Sequence, residues 1–120
     1  MPRPKTRQEL LSPSEWKVFW VLSRRQPLTT AEVSRELARH DPDFSLNDNT
    51  VRTFLKRLQN KGYLTAEPST GRELLYRPSV PFDVALRFHV GRFLDQFALG
   101  GREDLEVLRQ LVEQRLASPG

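Results

Sequence analysis

The feature that most constrains the fold is the segment from Asn47 to Gly62, which has the pattern of a single capped amphipathic helix. Asn47 is a good N-cap, Asp48 follows near the positive end of the helix dipole, and Gly62 suits the left-handed turn just past a helix end. At about 100° per residue, the apolar residues of the segment share one face. Those residues are Val51, Phe54, Leu55 and Leu58. The segment therefore predicts a helix that buries one face and exposes the other.

The other face of this helix and its flanks carry hydrogen-bonding and cationic side chains. They are Asn49, Thr50, Arg52, Thr53, Lys56, Arg57 and Asn60. Such side chains suit base edges and phosphates, although a basic helix face can also be merely solvated. The residues that follow favour the first interpretation, because 63–67 and 73–77 predict two strands joined by a turn that contains Arg72. A basic helix followed directly by a basic hairpin is the outline of a winged helix-turn-helix DNA-binding protein.

Two capping boxes place the earlier helices. Ser12 with Glu15 predicts a helix over about 13–25, and Thr29 with Glu32 predicts one over about 30–39. The short extended stretch at 28–30 is a candidate third strand, and the third helix covers about 48–61. The order helix, short strand, helix, helix, hairpin predicts a winged-helix DNA-binding domain over residues 11–80. Residues 1–10 are basic and aperiodic, which predicts a flexible arm.

Residues 81–120 predict two further helices whose apolar sides have no remaining part of the chain to cover them. We predict that this region is a helical dimerisation region, because burial against a twofold-related copy would cover the exposed apolar stripes. The residues assigned to that interface are Phe82, Leu86, Val90, Phe93, Leu94, Phe97, Leu105, Leu108 and Val112. The predicted fold class is thus mostly α with a small β wing, a winged helix-turn-helix domain plus a C-terminal helical dimerisation region.

Composition limits the classes of function. The chain has 120 residues and no cysteine, which excludes disulfides, zinc–thiolate sites and thiol catalysis. His40 and His89 have no ordered set of partner residues, so we expect neither an enzyme nor a metal or organic cofactor. No apolar run approaches the roughly 20 residues of a membrane span, and the start of the chain has no signal core, so we expect a cytoplasmic protein without a membrane partner.

The distribution of charge favours a polyanionic partner for the first part of the chain. The formal net charge is +4. Residues 1–81 hold 14 basic against 9 acidic residues, a net of +5, whereas residues 82–120 hold 5 against 6, a net of −1. The basic part and the nearly neutral part are therefore expected to have different roles.

With these residues placed, the sequence resembles the BlaI/MecI/CopY family of penicillinase-type repressors. The resemblance runs from residue 11 to the C-terminus and is strongest over residues 50–64. There the family pattern Thr-Val/Ile-x-Thr-x-Leu-x-Arg-Leu-x-x-Lys-Gly-x-Leu is met at every fixed position. Gly71-Arg72, followed by residues 76–78, resembles the family's wing, and residues 93–97 with the double glycine at 100–101 resemble its dimerisation segment.

This resemblance implies a homodimeric repressor that binds dyad-symmetric operators in double-stranded DNA. Carried over by position, it implies recognition-helix contacts from Thr50, Arg52, Thr53 and Arg57, backbone contacts from Lys56 and Lys61, and a wing contact from Arg72. Asn49 joins the set because it lies on the same polar face. Lys61 stands at the helix end, where a cation also favours the helix dipole.

Two departures from the family concern release of the repressor. Relatives controlled by a membrane sensor-protease are cleaved after the double glycine, commonly at an Asn-Phe bond, and this sequence contains no Asn-Phe dipeptide. The copper-responsive relatives carry C-terminal cysteine pairs, which this chain lacks. We therefore expect no sensor-protease partner, and either constitutive repression or release by a different signal.

Two alternatives to a DNA-binding repressor stay open at this point. A winged-helix module that binds protein predicts an apolar or acidic surface on the third helix. A small-molecule-responsive regulator requires a pocket between the domains.

Overall fold

The computed structural model describes residues 9–118, so the predicted arm at 1–10 lies outside the described residues except for Glu9 and Leu10. Within that range the chain is mostly helical, with one two-stranded hairpin. The elements in order are α1 (Pro13–Arg24), α2 (Thr30–His40), a 3-10 turn (Pro42–Phe44), α3 (Asp48–Asn60), β1 (Leu64–Pro68), β2 (Leu74–Pro78), α4 (Phe82–Phe97) and α5 (Arg102–Ala117). The predicted fold class, mostly α with a small β wing, is confirmed.

Side-chain caps set the starts of the first two helices, as the sequence predicts. At α1 the Ser12 amide donates to Glu15 Oε1 at 2.9 Å, and the Glu15 amide donates to Ser12 Oγ at 3.1 Å. At α2 the Thr29 amide donates to Glu32 Oε1 at 2.9 Å, and the Glu32 amide donates to Thr29 Oγ1 at 3.3 Å. Each capping box thereby satisfies two backbone N–H groups that the start of the helix would otherwise leave without a hydrogen-bond acceptor.

α3 begins and ends at the residues that its sequence indicates. The Thr50 amide donates to Asn47 Oδ1 at 2.8 Å, and Gly62 takes the left-handed conformation with φ 87°. Its inward face is buried, with Phe54 half-buried beside three residues that have no exposed surface. Those three are Val51, Leu55 and Leu58.

β1 and β2 form an antiparallel hairpin in which Leu64 lies opposite Pro78 and Pro68 opposite Leu74. The predicted third strand is a single bridge, in which the Leu28 amide donates to the Tyr76 carbonyl at 3.1 Å and the Tyr76 amide donates to the Leu28 carbonyl at 2.8 Å. This bridge holds the middle of β2 beside the start of α2.

The core lies between α1, α2, α3 and the hairpin. Its largest fully buried side chains are Tyr63, Phe19, Leu22, Leu55, Leu58, Val18, Val33 and Val51. The start of α4 adds to it, since the Phe82 ring lies 5.4 Å from the Trp16 ring and Ala85 is buried. Phe82, predicted to lie in a dimer interface, therefore packs in the core of the winged-helix part.

The chain divides into two compact units, one up to Ala85 and one from Leu86 onward. The division falls after the first turn of α4, because Phe82 and Ala85 pack with the first core; the predicted domain boundary at residue 80 stays a prediction. The second unit holds the rest of α4, a four-residue link at 98–101, and α5. None of the helices over residues 9–118 is both long and apolar enough to cross a bilayer.

The link between α4 and α5 is short and held by a side chain. The Gly100 amide donates to Asp104 Oδ2 at 2.5 Å, and Gly101 takes φ 71° immediately before α5. Glu103 and Asp104 lie in the first turn of α5, where carboxylates favour the helix dipole.

Candidate nucleic-acid interface

The exposed face of α3 is a continuous row of polar and cationic side chains. An open surface depression along the helix is lined by Asn49, Arg52, Thr53, Lys56 and Arg57. These residues follow the three- and four-residue spacing that places side chains on one face of a helix. Five of the eight predicted contact residues therefore share one surface.

A second depression joins this row to the wing. It is lined by Thr30, Arg52, Lys56, Arg72, Glu73, Leu74 and Tyr76. Arg52 and Lys56 border both depressions, so the α3 face and the wing form one connected surface. Arg72, predicted from the sequence as the wing contact, lies on it.

Within this surface, Arg52, Thr53 and Arg57 are oriented by contacts to neighbouring residues of α3, and the two arginines keep N–H donors that these contacts do not use. Arg52 Nη1 donates to Asn49 Oδ1 at 3.0 Å, and Thr53 Oγ1 donates to the Asn49 carbonyl at 3.1 Å. The Arg57 guanidinium lies 5.6 Å from the centre of the Phe54 ring. Since a guanidinium has five N–H donors, both arginines keep most of their hydrogen-bonding capacity. Thr50 is half-buried, and its amide is used by the Asn47 cap.

The cations of this surface form no salt bridges within the part of the chain that the structure describes. Over residues 9–118, no carboxylate forms a salt bridge with Arg52, Lys56, Arg57 or Arg72. Elsewhere in the winged-helix part several cations are paired; in the wing, for example, Arg77 Nη2 lies 2.7 Å from Glu67 Oε1. The four cations outnumber the one carboxylate of this surface, Glu73, so its net charge is positive, as expected for phosphate attraction.

Lys61 is placed differently from its prediction. Its ammonium donates to Glu15 Oε1 at 2.8 Å and to the Leu10 carbonyl at 3.0 Å, and it lines neither depression. Burial raises the pKa of Glu15, but the hydrogen bond and charge of Lys61, together with the hydrogen bonds from Ser12, outweigh it and lower the pKa overall. Lys61 thus ties the end of α3 to the start of α1, and we assign it to the fold rather than to the contact surface.

A neighbouring tyrosine ties down the residues that precede α1. The Tyr63 hydroxyl donates to the Glu9 carbonyl at 2.7 Å. Burial, with smaller contributions from the Glu9 and Glu15 charges, raises the pKa of Tyr63 to about 12. The hydroxyl therefore stays protonated and remains a donor at neutral pH.

Sequence reasoning missed four residues of this surface, which are Thr30, Glu73, Leu74 and Tyr76. Thr30 was accounted for by the start of α2, and Glu73 by the start of a strand, and neither role suggests contact with a ligand. Only the bridge between Leu28 and Tyr76, which sets the hairpin beside α2, brings them next to Arg52 and Lys56. The short extended stretch at 28–30 was the available signal.

In the second unit, most of the residues predicted for dimerisation are exposed. Phe93 and Phe97 are 45% and 65% exposed, and their rings stack on each other with centres 4.8 Å apart. Leu86, Val90, Leu105 and Val112 are also exposed, and Leu94 and Leu108 are half-buried. Further exposed apolar residues of this unit, outside the predicted set, are Leu99, Val107, Leu111 and Leu116.

No cluster of His, Cys, Asp and Glu suited to a metal ion occurs among the described residues. The surface that the fold presents is instead that of a winged-helix transcriptional regulator. The model of the penicillinase repressor family matches residues 11–119, and the chain belongs to that family. The suspected family is thereby confirmed.

Solved structures support the fold. RosR of H. salinarum aligns with a TM-score of 0.57 and 19% identity, over 89% of this chain and 94% of that one. A probable transcriptional regulator from Pseudomonas aeruginosa aligns with a TM-score of 0.50 and 22% identity, over 87% and 77%. BpsR of Bordetella bronchiseptica, whose DNA binding is regulated by 6-hydroxynicotinic acid, aligns with a TM-score of 0.50 and 18% identity, over 90% and 76%. No curated protein matched the chain.

Proposed function

We propose that this protein is a transcriptional repressor that binds dyad-symmetric operators in double-stranded DNA as a homodimer. In this proposal α3 enters the major groove, where Thr50, Thr53 and Arg57 read bases. Lys56 and Arg72 contact phosphates, and Asn49 and Arg52 complete the surface.

The observation that carries the proposal is the contrast between the two faces of α3. One face has three residues with no exposed surface, and the other presents threonine, asparagine and cations that form no salt bridge with any residue of 9–118. Threonine, asparagine and arginine are the side chains that pair with base edges and phosphate oxygens. A basic wing lies on the same connected surface.

The same surface argues against a module that binds protein through α3. Such a module would present an apolar or acidic face, whereas the depression along α3 is lined by two amide or hydroxyl side chains and three cations. Interfaces between proteins are in general depleted of charged residues at their centres.

The proposed dimer rests on the second unit. Its exposed large apolar residues occur on both helices and on the link between them, and large areas of exposed apolar surface are rare on monomeric proteins. A dimer would also present two copies of α3, which matches the twofold symmetry of a palindromic site.

The link between α4 and α5 supports the expectation that release does not use the family's proteolytic cut. Only residues 98–101 lie between the two helices, and the Gly100 amide is bonded to Asp104. A protease needs an extended bond, and this four-residue link lacks the Asn-Phe target. We therefore propose that the protein represses constitutively or is released by another signal.

The proposal is tested by selecting duplexes that bind the full chain from a fragmented genomic pool. We expect enrichment of a palindromic sequence, and its loss when Arg52→Ala is combined with Arg57→Ala. The double variant Arg102→Ala/Arg115→Ala is the matched control, since it removes two exposed, unpaired cations from α5. Absence of any enriched sequence, or equal loss in both double variants, would contradict the proposal.

A further inference from the structure

The surface that we propose for DNA contains one carboxylate. Glu73 lines the depression between α3, the start of α2 and the wing, together with the cations Arg52, Lys56 and Arg72. It is exposed, and it is the first residue after Arg72 on the way into β2.

Glu73 has no structural task for its side chain among the described residues. Over residues 9–118 its carboxylate makes neither a hydrogen bond nor a salt bridge, although its backbone carbonyl accepts from the Ser69 amide and hydroxyl. The other acid of the wing, Glu67, is bonded to Arg77 at 2.8 Å. Glu67 therefore stabilises the hairpin, whereas the charge of Glu73 remains available to whatever occupies the depression.

A carboxylate in the DNA-binding surface should affect the complex with the operator differently from the complex with an unrelated duplex. Against phosphate oxygens it repels, and the repulsion opposes any duplex that binds through its backbone alone. Against a base edge it can accept a hydrogen bond from the cytosine amino group, which a groove-bound side chain reaches only in a defined register. The guanidinium of Arg52 or Arg72, once it is ordered by contact with the operator, can also form a salt bridge with the Glu73 carboxylate.

We infer that Glu73 is a specificity-determining residue, which weakens binding to non-operator DNA more than binding to the operator. This inference rests on the proposed function, since it takes the connected surface of α3 and the wing as the DNA site. The sequence neighbours Arg72 and Glu73 then have opposite roles, with Arg72 attracting all DNA and Glu73 selecting among duplexes.

The test uses Glu73→Gln, which keeps the shape of the side chain and removes its charge. The control is Asp43→Asn, because Asp43 is exposed and unpaired and gives the same change in net charge. It lies just past the end of α2, and the 11 residues of that helix separate it from Thr30 by about 16 Å along the axis.

Dissociation constants are measured for the full-length variants with the selected duplex and with a shuffled duplex of the same length and composition, at one salt concentration. We expect Glu73→Gln to lower the ratio of operator to shuffled affinity by about two- to fivefold, the size of one exposed charge interaction. Asp43→Asn should leave that ratio unchanged. Thermal melting verifies that each variant is folded.

An unchanged or higher ratio in Glu73→Gln, with operator binding by the parent intact, would overturn the inference and leave the proposed function standing. An equal fall of the ratio in both variants would also overturn it, since net charge alone would then be responsible. If the parent binds neither duplex, the proposed function itself fails, and the role of Glu73 fails with it.

Discussion

The two units of this chain differ in what they do with their apolar residues. In the first unit, up to Ala85, the large apolar side chains of α1, α2 and α3 form one core with the hairpin. In the second, from Leu86, Phe97 is 65% exposed, Leu99 82% and Leu116 79%. Each Å² of apolar surface that stays in contact with water forgoes about 25 cal/mol of stabilising free energy.

The first unit encloses its own apolar core, and we propose that the second is covered by a partner. The polar contacts of the two units also differ in their burial. The first unit has capping boxes and the largely buried Glu15–Lys61 pair. In the second unit, the cation Arg109 pairs with Glu113 on the exposed surface of α5. Surface pairs of that kind contribute little to stability. The proposed dimer gives the second unit the buried surface that it lacks.

The largest expected effect comes from placing charge in the second unit. Phe93→Glu combined with Phe97→Glu should give a monomer whose operator affinity is lower by about 10²–10⁴-fold, because the two DNA-binding units are no longer linked. Analytical ultracentrifugation and DNA titration measure the two effects. Phe93→Leu combined with Phe97→Leu keeps the surface apolar and should remain dimeric. A dimer formed by the glutamate variant would show that these rings lie outside the interface.

The next effect sharpens the contrast within α3. Lys61→Met should reduce the free energy of unfolding by about 1–3 kcal/mol, since it leaves the buried Glu15 carboxylate without its ammonium partner. Lys56→Met is the matched control on the exposed face, and should lose DNA affinity with little loss of stability. Urea titrations measure the free energy of unfolding of the two variants and of the parent. Equal stability of the two would contradict the separation of fold and contact roles.

Two arginines of the contact surface should separate base reading from phosphate attraction. Arg57→Ala should cost about 1–3 kcal/mol and relax specificity at one base pair, if Arg57 contacts guanine through two hydrogen bonds. Arg72→Ala should weaken binding to all sequences alike and reduce the slope of log K against log salt by about one unit. Binding to a set of single-substitution operators at several salt concentrations distinguishes the two. A change in base preference for Arg72→Ala alone would reverse the assignment of helix and wing.

The smallest expected effect is on the stability of the protein at low pH. The pKa of Glu15 is lowered in the folded protein, so its contribution to stability is present above the ordinary value of 4.5 and is lost as the pH falls through the folded value. The stability difference between the parent and Glu15→Gln should therefore shrink below about pH 4.5. Thermal melting of both proteins between pH 7 and pH 3 measures it. A difference that does not change with pH would show that the Glu15 charge has no part in stability.

Much of the first unit can be predicted from the sequence because its signals are local. Ser12, Thr29 and Asn47 cap the helices that follow them, and the spacing of apolar residues selects the buried face of α3. A cap needs only residues three or four positions apart, so no knowledge of the tertiary structure is required.

The sequence is less informative where distant segments meet. The pairing of Lys61 with Glu15 joins residues 46 positions apart, and Glu15 already has a local role in its capping box. Phe82 likewise has the spacing of the apolar stripe of α4, yet it packs against Trp16 in the first core. Helical periodicity indicates that a face is apolar and does not indicate which surface covers it.

The mass of the full chain in solution tests the central claim most directly. The claim is that the first unit is complete and the second is covered by a twofold copy. Sedimentation equilibrium at micromolar concentration, without DNA, should give twice the monomer mass of 13.9 kDa. A fully folded species of 13.9 kDa that binds the selected palindrome would contradict it.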